Sequence, residues 1–426
     1  MIIFRKSISF NRIAIMAAVI CLSAASLTGC QAKPSAPVNP GNASQPGGTA
    51  GSVSPPVQQP VQTDPVEAIL SRMSLDDKIG QMVVVGMEGS SINSGVAGMI
   101  KEKHVGGIIL YGNNIVSPNQ LTDLANALRQ ANKDAGNAAP ILLSADQEGG
   151  KVARLPKEVT PFPSAMEVGR SNDPQAAHRV GSTLGEAMRV SGLNTDYAPV
   201  LDIHTNPSNP VIGDRAFGTQ ADVVSRVGIS VMEGMKSQGV IPVVKHFPGH
   251  GDTSVDSHTG LPVVEHDLAR LRSVELVPFA EAVKKGAPAV MVAHLLMTKL
   301  DPDKPASMSS AVIQKLLRDE LQFKGVVITD DMTMEAVAKV ADIGSAAVQS
   351  VLAGADIVLV GHEPVKQETV LHSLASAARS GKIPQSVIDA SVYRIVKLKM
   401  DFHLTDEAVE QVDVTELNKH IRKAVQ

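Results

Sequence analysis

The chain has 426 residues, 43% of them apolar, 19% charged and 3% aromatic, with a formal net charge of -4. That length carries one large domain or two modest ones, and with no Trp the core must be built from Val, Ile, Leu, Met and Ala. No Lys/Arg run or RNA-type aromatic signature is present, so nucleic acid is not an expected partner.

The first element is an address. Arg5, Lys6 and Arg12 precede an apolar stretch from Ile13 to Leu27, the order of a secretory signal. The stretch is short for a spanning helix, which needs about 20 residues. It ends in Leu27-Thr28-Gly29-Cys30, which resembles the lipobox of bacterial lipoproteins. That resemblance implies a signal peptide at 1–29, lipidation of Cys30, and anchoring on the extracytoplasmic face of a bacterial membrane; an uncleaved anchor helix is the alternative. Without the three basic residues the remainder carries about -7. Residues 30–63 are rich in Pro, Ser and Gly, with Lys33 as the one charged residue before Asp64. Such a segment has too little apolar bulk to offset ordering entropy, so a disordered linker is expected. Both cysteines, Cys21 and Cys30, lie in this leading part. The rest of the chain can form neither an internal disulfide nor a Cys-zinc site.

From Pro65 onward, short apolar runs alternate with helical patterns. The runs are Met82–Val85, Gly107–Tyr111, Ile141–Ala145, Asn194–Pro199, Val240–Lys245, Pro288–Ala293, Val326–Thr329 and Ile357–Val360. Most are β-branched and continuous rather than alternating, as strands buried on both faces are. Between them, Leu121, Leu124, Ala125 and Leu128 form one stripe of a helix, and Ser345–Leu352 leads to Gly354 as a helix stop. Eight β-then-α units predict a single (β/α)8 TIM-like barrel over residues 64–404; a doubly wound open sheet is the alternative. The long gap from Ala145 to Asn194 is expected to hold an inserted loop and an extra helix. The tail 405–426 has helical character.

Barrel sites form from the loops after the strands. Asp146-Gln147-Glu148-Gly149-Gly150 follows the third run, with Arg154 just beyond. Asp202 and later Asp214-Arg215 follow the fourth, Lys245-His246 ends the fifth, His294 the sixth, Asp330-Asp331 the seventh, and His362 follows the eighth. Any one of the Asp residues could be a helix N-cap, but charged groups at consecutive strand ends converge on one mouth. The densest string runs Lys245-His246-Phe247-Pro248-Gly249-His250-Gly251-Asp252, then Asp256-Ser257-His258. Its Pro and Gly residues exclude a helix, so His246 and His250 are not an i, i+4 metal pair. No HExxH-type or Cys/His spacing supports a metal, and no metal or organic cofactor is expected. Lys245 and His246 suit sugar hydroxyls. His258 can give and take a proton at neutral pH, with Asp256 placed to orient it.

At these strings the sequence resembles glycoside hydrolase family 3, in particular its β-N-acetylglucosaminidase branch, over about residues 65–400. The resemblance implies Asp330 as nucleophile, within Gly325-Val326-Val327-Ile328-Thr329-Asp330-Asp331-Met332. It implies His258 as general acid/base oriented by Asp256, and Asp146, Arg154, Arg215, Lys245 and His246 as substrate contacts. It further implies retaining exo-hydrolysis of terminal β-linked N-acetylglucosamine, with cell-wall muropeptide fragments as the natural substrate of an exported enzyme. A β-glucosidase or a phosphorylase of the same family is an alternative, as is a non-catalytic sugar-binding lipoprotein. No coiled-coil pattern or broad apolar surface stripe is visible, so a monomer is expected. The residues alone give no chemical step to His250, Asp252 or His294.

Overall fold

The structure, a computed structural model, describes residues 64–426 apart from His258. The expected signal peptide, the linker and Cys30 therefore lie outside the described residues. Eight parallel strands form one sheet: β1 (Val83–Gly86), β2 (Gly107–Ile109), β3 (Leu142–Ala145), β4 (Thr195–Asp196), β5 (Ile241–Phe247), β6 (Ala289–Val292), β7 (Val326–Thr329) and β8 (Val358–Val360). Each pairs with its neighbour in sequence, and β8 returns to pair with β1 through Val83↔Val358, Val84↔Leu359 and Val85↔Val360. The last seam, between β7 and β8, is thin. It holds one bridge, Ile328↔Ile357, and the Thr329 hydroxyl accepts from the Leu359 N–H across it. The result is a nearly closed (β/α)8 barrel, as the eight continuous apolar runs predict.

All eight strands fall within the predicted runs or within two residues of them. The largest shortfall is β4, two residues where six were expected. The side chain of Asn194 takes over part of the ladder, accepting from the Leu143 N–H at 2.8 Å and donating to the Ile141 carbonyl at 2.9 Å. Pro199, with no N–H to donate, stands just beyond. The helices behave as their caps direct. Pro118–Asp134 starts at a Ser117 cap with Pro in the first turn and buries Leu121, Leu124, Ala125 and Leu128. Ile343–Ala353 stops at Gly354, which has φ 114° and so suits glycine best.

The gap between β3 and β4 holds the helices Ala165–Ser171 and Pro174–Val190. Two further helices set the boundary of the fold. Gln385–Asp401 lies across the N-terminal ends of the strands, where Arg394 reaches Asp356 and Lys399 reaches the Gly106 carbonyl. Val414–Ala424, in the tail, buries Leu417 and Ile421 against the outer helices. The opposite, C-terminal end of the barrel stays open as a mouth. No helix among the described residues is long and apolar enough to cross a membrane.

Candidate active site

The mouth holds a pocket of about 440 Å³. Asp146, Arg154, Arg215, Lys245, His246 and Asp330 all line it, six of the eight residues expected there. The local reason begins in β5. Val243 and Val244 pair in step with Ala289 and Val290, but Phe247 pairs with Val292, so β5 carries one extra residue between Val244 and Phe247. A strand normally sends consecutive side chains to opposite faces, and a bulge breaks that alternation and re-aims the residues inside it. Lys245 and His246 sit in this bulge, and both line the pocket.

Lys245 is only 2% exposed and cannot be left unpaired. Its ammonium lies 2.6 Å from Asp146 Oδ1 and 2.7 Å from Glu148 Oε1. Arg215 holds the same Glu148 in a two-point grip, Nε to Oε2 at 2.8 Å and Nη2 to Oε1 at 2.7 Å. Burial opposes the charge on Glu148, but Lys245 and Arg215 outweigh it and hold the carboxyl far below the usual range. Burial opposes the Lys245 charge too, and Asp146 and Glu148 carry its pKa above the ordinary value. The four groups form an interlocked network of ion pairs that fixes two cations at the pocket wall. Behind it, Asp196 is pushed well above the carboxylate range by complete burial and accepts from the Gln147 N–H at 2.9 Å.

His246 is 6% exposed. Its Nδ1 lies 2.6 Å from Asp202 Oδ2, and its Nε2 lies 3.4 Å from Arg215 Nη2. Asp202 Oδ1 accepts from the His250 N–H at 2.7 Å. Burial raises the Asp202 pKa, but these donors more than compensate and the carboxyl sits below its usual value.

Two adjacent acids follow β7, and their surroundings separate them. The Asp331 carboxylate accepts from Tyr111 Oη (3.2 Å), His362 Nδ1 (3.0 Å), the Thr333 N–H and hydroxyl (2.9 Å each) and the Gly361 N–H (3.0 Å). Asp330 accepts from the Asp331 N–H at 2.8 Å and keeps most of its lone pairs toward the pocket. Burial again opposes ionisation, but the imidazoles of His246 and His294, the Asp331 N–H and the Lys245 ammonium hold Asp330 below 3.8. His294 is fully buried beneath this segment, with Nδ1 2.7 Å from the Ser307 hydroxyl and Nε2 3.1 Å from the Asp331 carbonyl. It is a support for the acidic pair.

The loop after β5 closes one side of the pocket. His250 Nδ1 meets the Thr253 hydroxyl at 2.8 Å and its Nε2 meets the Ser257 hydroxyl at 3.4 Å. Asp252 pairs with His266 at 2.6 Å. Both therefore hold the loop's shape. The Asp256 carbonyl accepts from the Thr259 and Gly260 N–H groups, and the Ser257 carbonyl from the Ala336 N–H just beyond Asp330. His258, predicted as acid/base, lies outside the described residues, and Asp256 stands on the same loop. Arg154 lines the pocket and makes no ion pair with a described residue. Its backbone N–H is held by the Gln147 side chain at 2.7 Å.

Sequence reasoning gave no role to Glu148, Tyr111 or Asp331, and named Asp202 only as a strand-end acid. Glu148 had a signal, since it stands inside the acidic string after β3. Tyr111 had none, because one Tyr at the end of an apolar run reads as core.

Residues 74–398 match the glycosyl hydrolase family 3 N terminal domain. The chain is 36% identical over 323 residues to beta-hexosaminidase A of Pseudoalteromonas piscicida, covering 71% of this chain and 54% of that one. It is 35% identical over 354 residues to beta-hexosaminidase LpqI of Mycobacterium tuberculosis, covering 81% and 88%. Among solved structures, a family 3 β-N-acetylglucosaminidase from Paenibacillus sp. str. FPU-7 superposes with a TM-score of 0.79 at 40% identity, covering 83% of this chain and 68% of that one. The chain thus spans about half the length of the Pseudoalteromonas relative and most of the mycobacterial one. With the barrel, its charged mouth and the match over residues 74–398 in agreement, the chain belongs to glycosyl hydrolase family 3.

Proposed function

We propose that the chain is a retaining exo-β-N-acetylglucosaminidase in which Asp330 is the nucleophile and His258, oriented by Asp256, the general acid/base. The observation that carries this reading is the contrast between the two neighbouring acids. Asp331 is committed to five donors, whereas Asp330 is ionised, faces the pocket and has lone pairs to spare. A nucleophile needs that combination. Asp330 attacks the anomeric carbon while His258 protonates the leaving oxygen. Water activated by neutral His258 then releases the sugar from the glycosyl-Asp with configuration retained, the two-step logic of retaining glycosidases. Asp146, Arg154, Arg215, Lys245 and His246 grip hydroxyls and stabilise the charge that develops.

The names of the relatives support a terminal β-linked N-acetylhexosamine as the donor sugar. The Leu27-Thr28-Gly29-Cys30 string supports a lipid anchor at Cys30 and action on muropeptide fragments outside the cytoplasm. The test is turnover of p-nitrophenyl β-N-acetylglucosaminide beside the β-glucoside. The N-acetyl substrate is preferred, its first-formed sugar is the β anomer by NMR, and Asp330→Ala lowers kcat roughly ten-thousandfold. His258→Ala lowers it by about 10²- to 10⁴-fold. Turnover that survives Asp330→Ala, or a first-formed α anomer, sinks the mechanism; a preference for glucoside sinks the substrate.

A further inference from the structure

We propose that Asp202 is a positioning residue that fixes the tautomer of His246 and ties the root of the acid/base loop to the sugar-binding wall. This deepens the reading above and rests on it for His246 as a sugar contact and for the role of the loop.

The backbone delivers Asp202 to this place. The segment after β4 runs beside β5, with Val200 bridged to Lys245, the Leu201 N–H bonded to the Lys245 carbonyl and the Lys245 N–H to the Pro199 carbonyl. Asp202 is thereby set next to His246, with no exposed surface. Each of its oxygens has a separate task. Oδ2 takes the His246 ring at 2.6 Å. Oδ1 takes the His246 N–H at 3.3 Å and the His250 N–H at 2.7 Å. His250 in turn holds Thr253 and Ser257, the residue before His258. One buried carboxylate thus joins the sugar wall to the loop.

The chemistry on the ring follows from the partners. A carboxylate only accepts, so His246 Nδ1 carries a proton. The other ring nitrogen faces Arg215 Nη2, a group that only donates, at 3.4 Å. Nε2 is therefore an acceptor, and a sugar hydroxyl entering the pocket finds a lone pair there. In the opposite tautomer, Nε2–H would face the guanidinium and offer the sugar a donor instead.

Asp202→Asn tests this with little change of shape. Oδ1 remains to accept from the two backbone N–H groups, so the new amide NH2 faces Nδ1. Two donors then oppose each other, and the ring proton must move to Nε2. In the full-length protein with ¹⁵N-labelled histidine, we expect His246 to show Nδ1–H in the wild type and Nε2–H in Asp202→Asn, the resonance being assigned by its loss in His246→Gln. kcat/KM on p-nitrophenyl β-N-acetylglucosaminide falls roughly a hundred- to ten-thousandfold in Asp202→Asn. In a His246→Gln background the same change costs at least tenfold less, because the ring through which Asp202 acts is gone. A residue that only supports the fold would give additive losses and no tautomer change. Nε2–H in the wild type, or additive losses, overturns the proposal. If Asp202→Asn does not fold, the wild-type tautomer still decides. If the wild type turns over no β-N-acetylglucosaminide, the proposed function fails, while the spectra test the positioning independently.

Discussion

Glu148 has a side chain 3% exposed and receives Lys245 on one oxygen and Arg215 on both. Removing its charge leaves two buried cations facing a neutral amide, and breaking a buried pair costs about 3–5 kcal/mol. Glu148→Gln is therefore expected to lower stability by that order in chemical denaturation, and to lower kcat/KM at least tenfold as Lys245 loses one of its two anchors. Unchanged stability would show that Asp146 alone satisfies Lys245. Asp330 makes a different prediction. Its folded pKa lies below 3.8, held there by cationic and N–H neighbours. The nucleophile is thus ionised across the working range, so Asp330 sets no acid limb of kcat/KM between neutrality and about pH 5, and kcat/KM does not fall as the pH is lowered over that range. An acid limb with its midpoint above that would belong to another group. At this scale the sequence was informative where residue types are chemically narrow. Lys245, His246, Asp146, Arg215 and Asp330 converge in the pocket as their strand-end positions imply. What the residue types alone could not separate was function from support within one string: Asp330 and Asp331 are identical side chains, the family resemblance alone singled out Asp330, and the five donors around Asp331 are what sets their surroundings apart.

Between residue and barrel stands the element, and here the β5 bulge and the loop after it decide the geometry. The run Val240–Lys245 reads as a plain buried strand, and the strand observed is Ile241–Phe247. Nothing in its hydrophobicity reveals the extra residue, because register is a property of two strands and not of one. That the segment is a loop was legible, since Pro248, Gly249 and Gly251 exclude a helix, but its tight seat was not. A Cβ on Gly251 would lie 1.7 Å from the Ile203 carbonyl oxygen. That oxygen is backbone and adjoins Asp202, so neither partner can yield cheaply. Gly251→Ala is expected to push the loop off its seat. The loop carries the proposed acid/base but little of the barrel's core, so kcat should fall about tenfold or more for a loss of stability of only about 1–3 kcal/mol. Rate and melting temperature measured on the same preparation check this. Loss of stability with kcat intact would mean that the loop's position is not what limits turnover.

At the scale of the molecule, periodicity announced the eight strands of the barrel and their alternation with helices, but not the full set of helices nor what the last ones cover. An amphipathic stripe says that one face is buried and leaves open against what. Val414–Ala424 is an example, for it lays Leu417 and Ile421 against the outer helices, far along the chain from them. Truncating both to Ala is expected to cost about 2–5 kcal/mol per site and to leave kcat/KM within about twofold, as neither lines the mouth. Gln385–Asp401 is the harder case, because its Lys399 is buried across the closed end of the barrel with Nζ 2.8 Å from Gln81 Oε1 and 3.0 Å from the Gly106 carbonyl. No carboxylate among the described residues contacts it, and burial pulls its pKa from 10.5 down to about 7. The folded state thus favours the neutral amine, whereas the unfolded chain holds the proton up to 10.5. Between about pH 7 and 10.5 the unfolded state binds more protons, so this group makes stability rise with pH, by up to about 1.4 kcal/mol per unit. Below pH 7 both states are protonated and the contribution is flat at its least favourable level. Lys399→Met removes the titration, at the cost of a donor for Gln81 and Gly106. The difference in unfolding free energy between wild type and variant should therefore grow in favour of the wild type as pH climbs from 7 to 10, and stay constant between pH 5 and 6.5. A difference that does not change with pH would mean that the ammonium stays charged in the closed end.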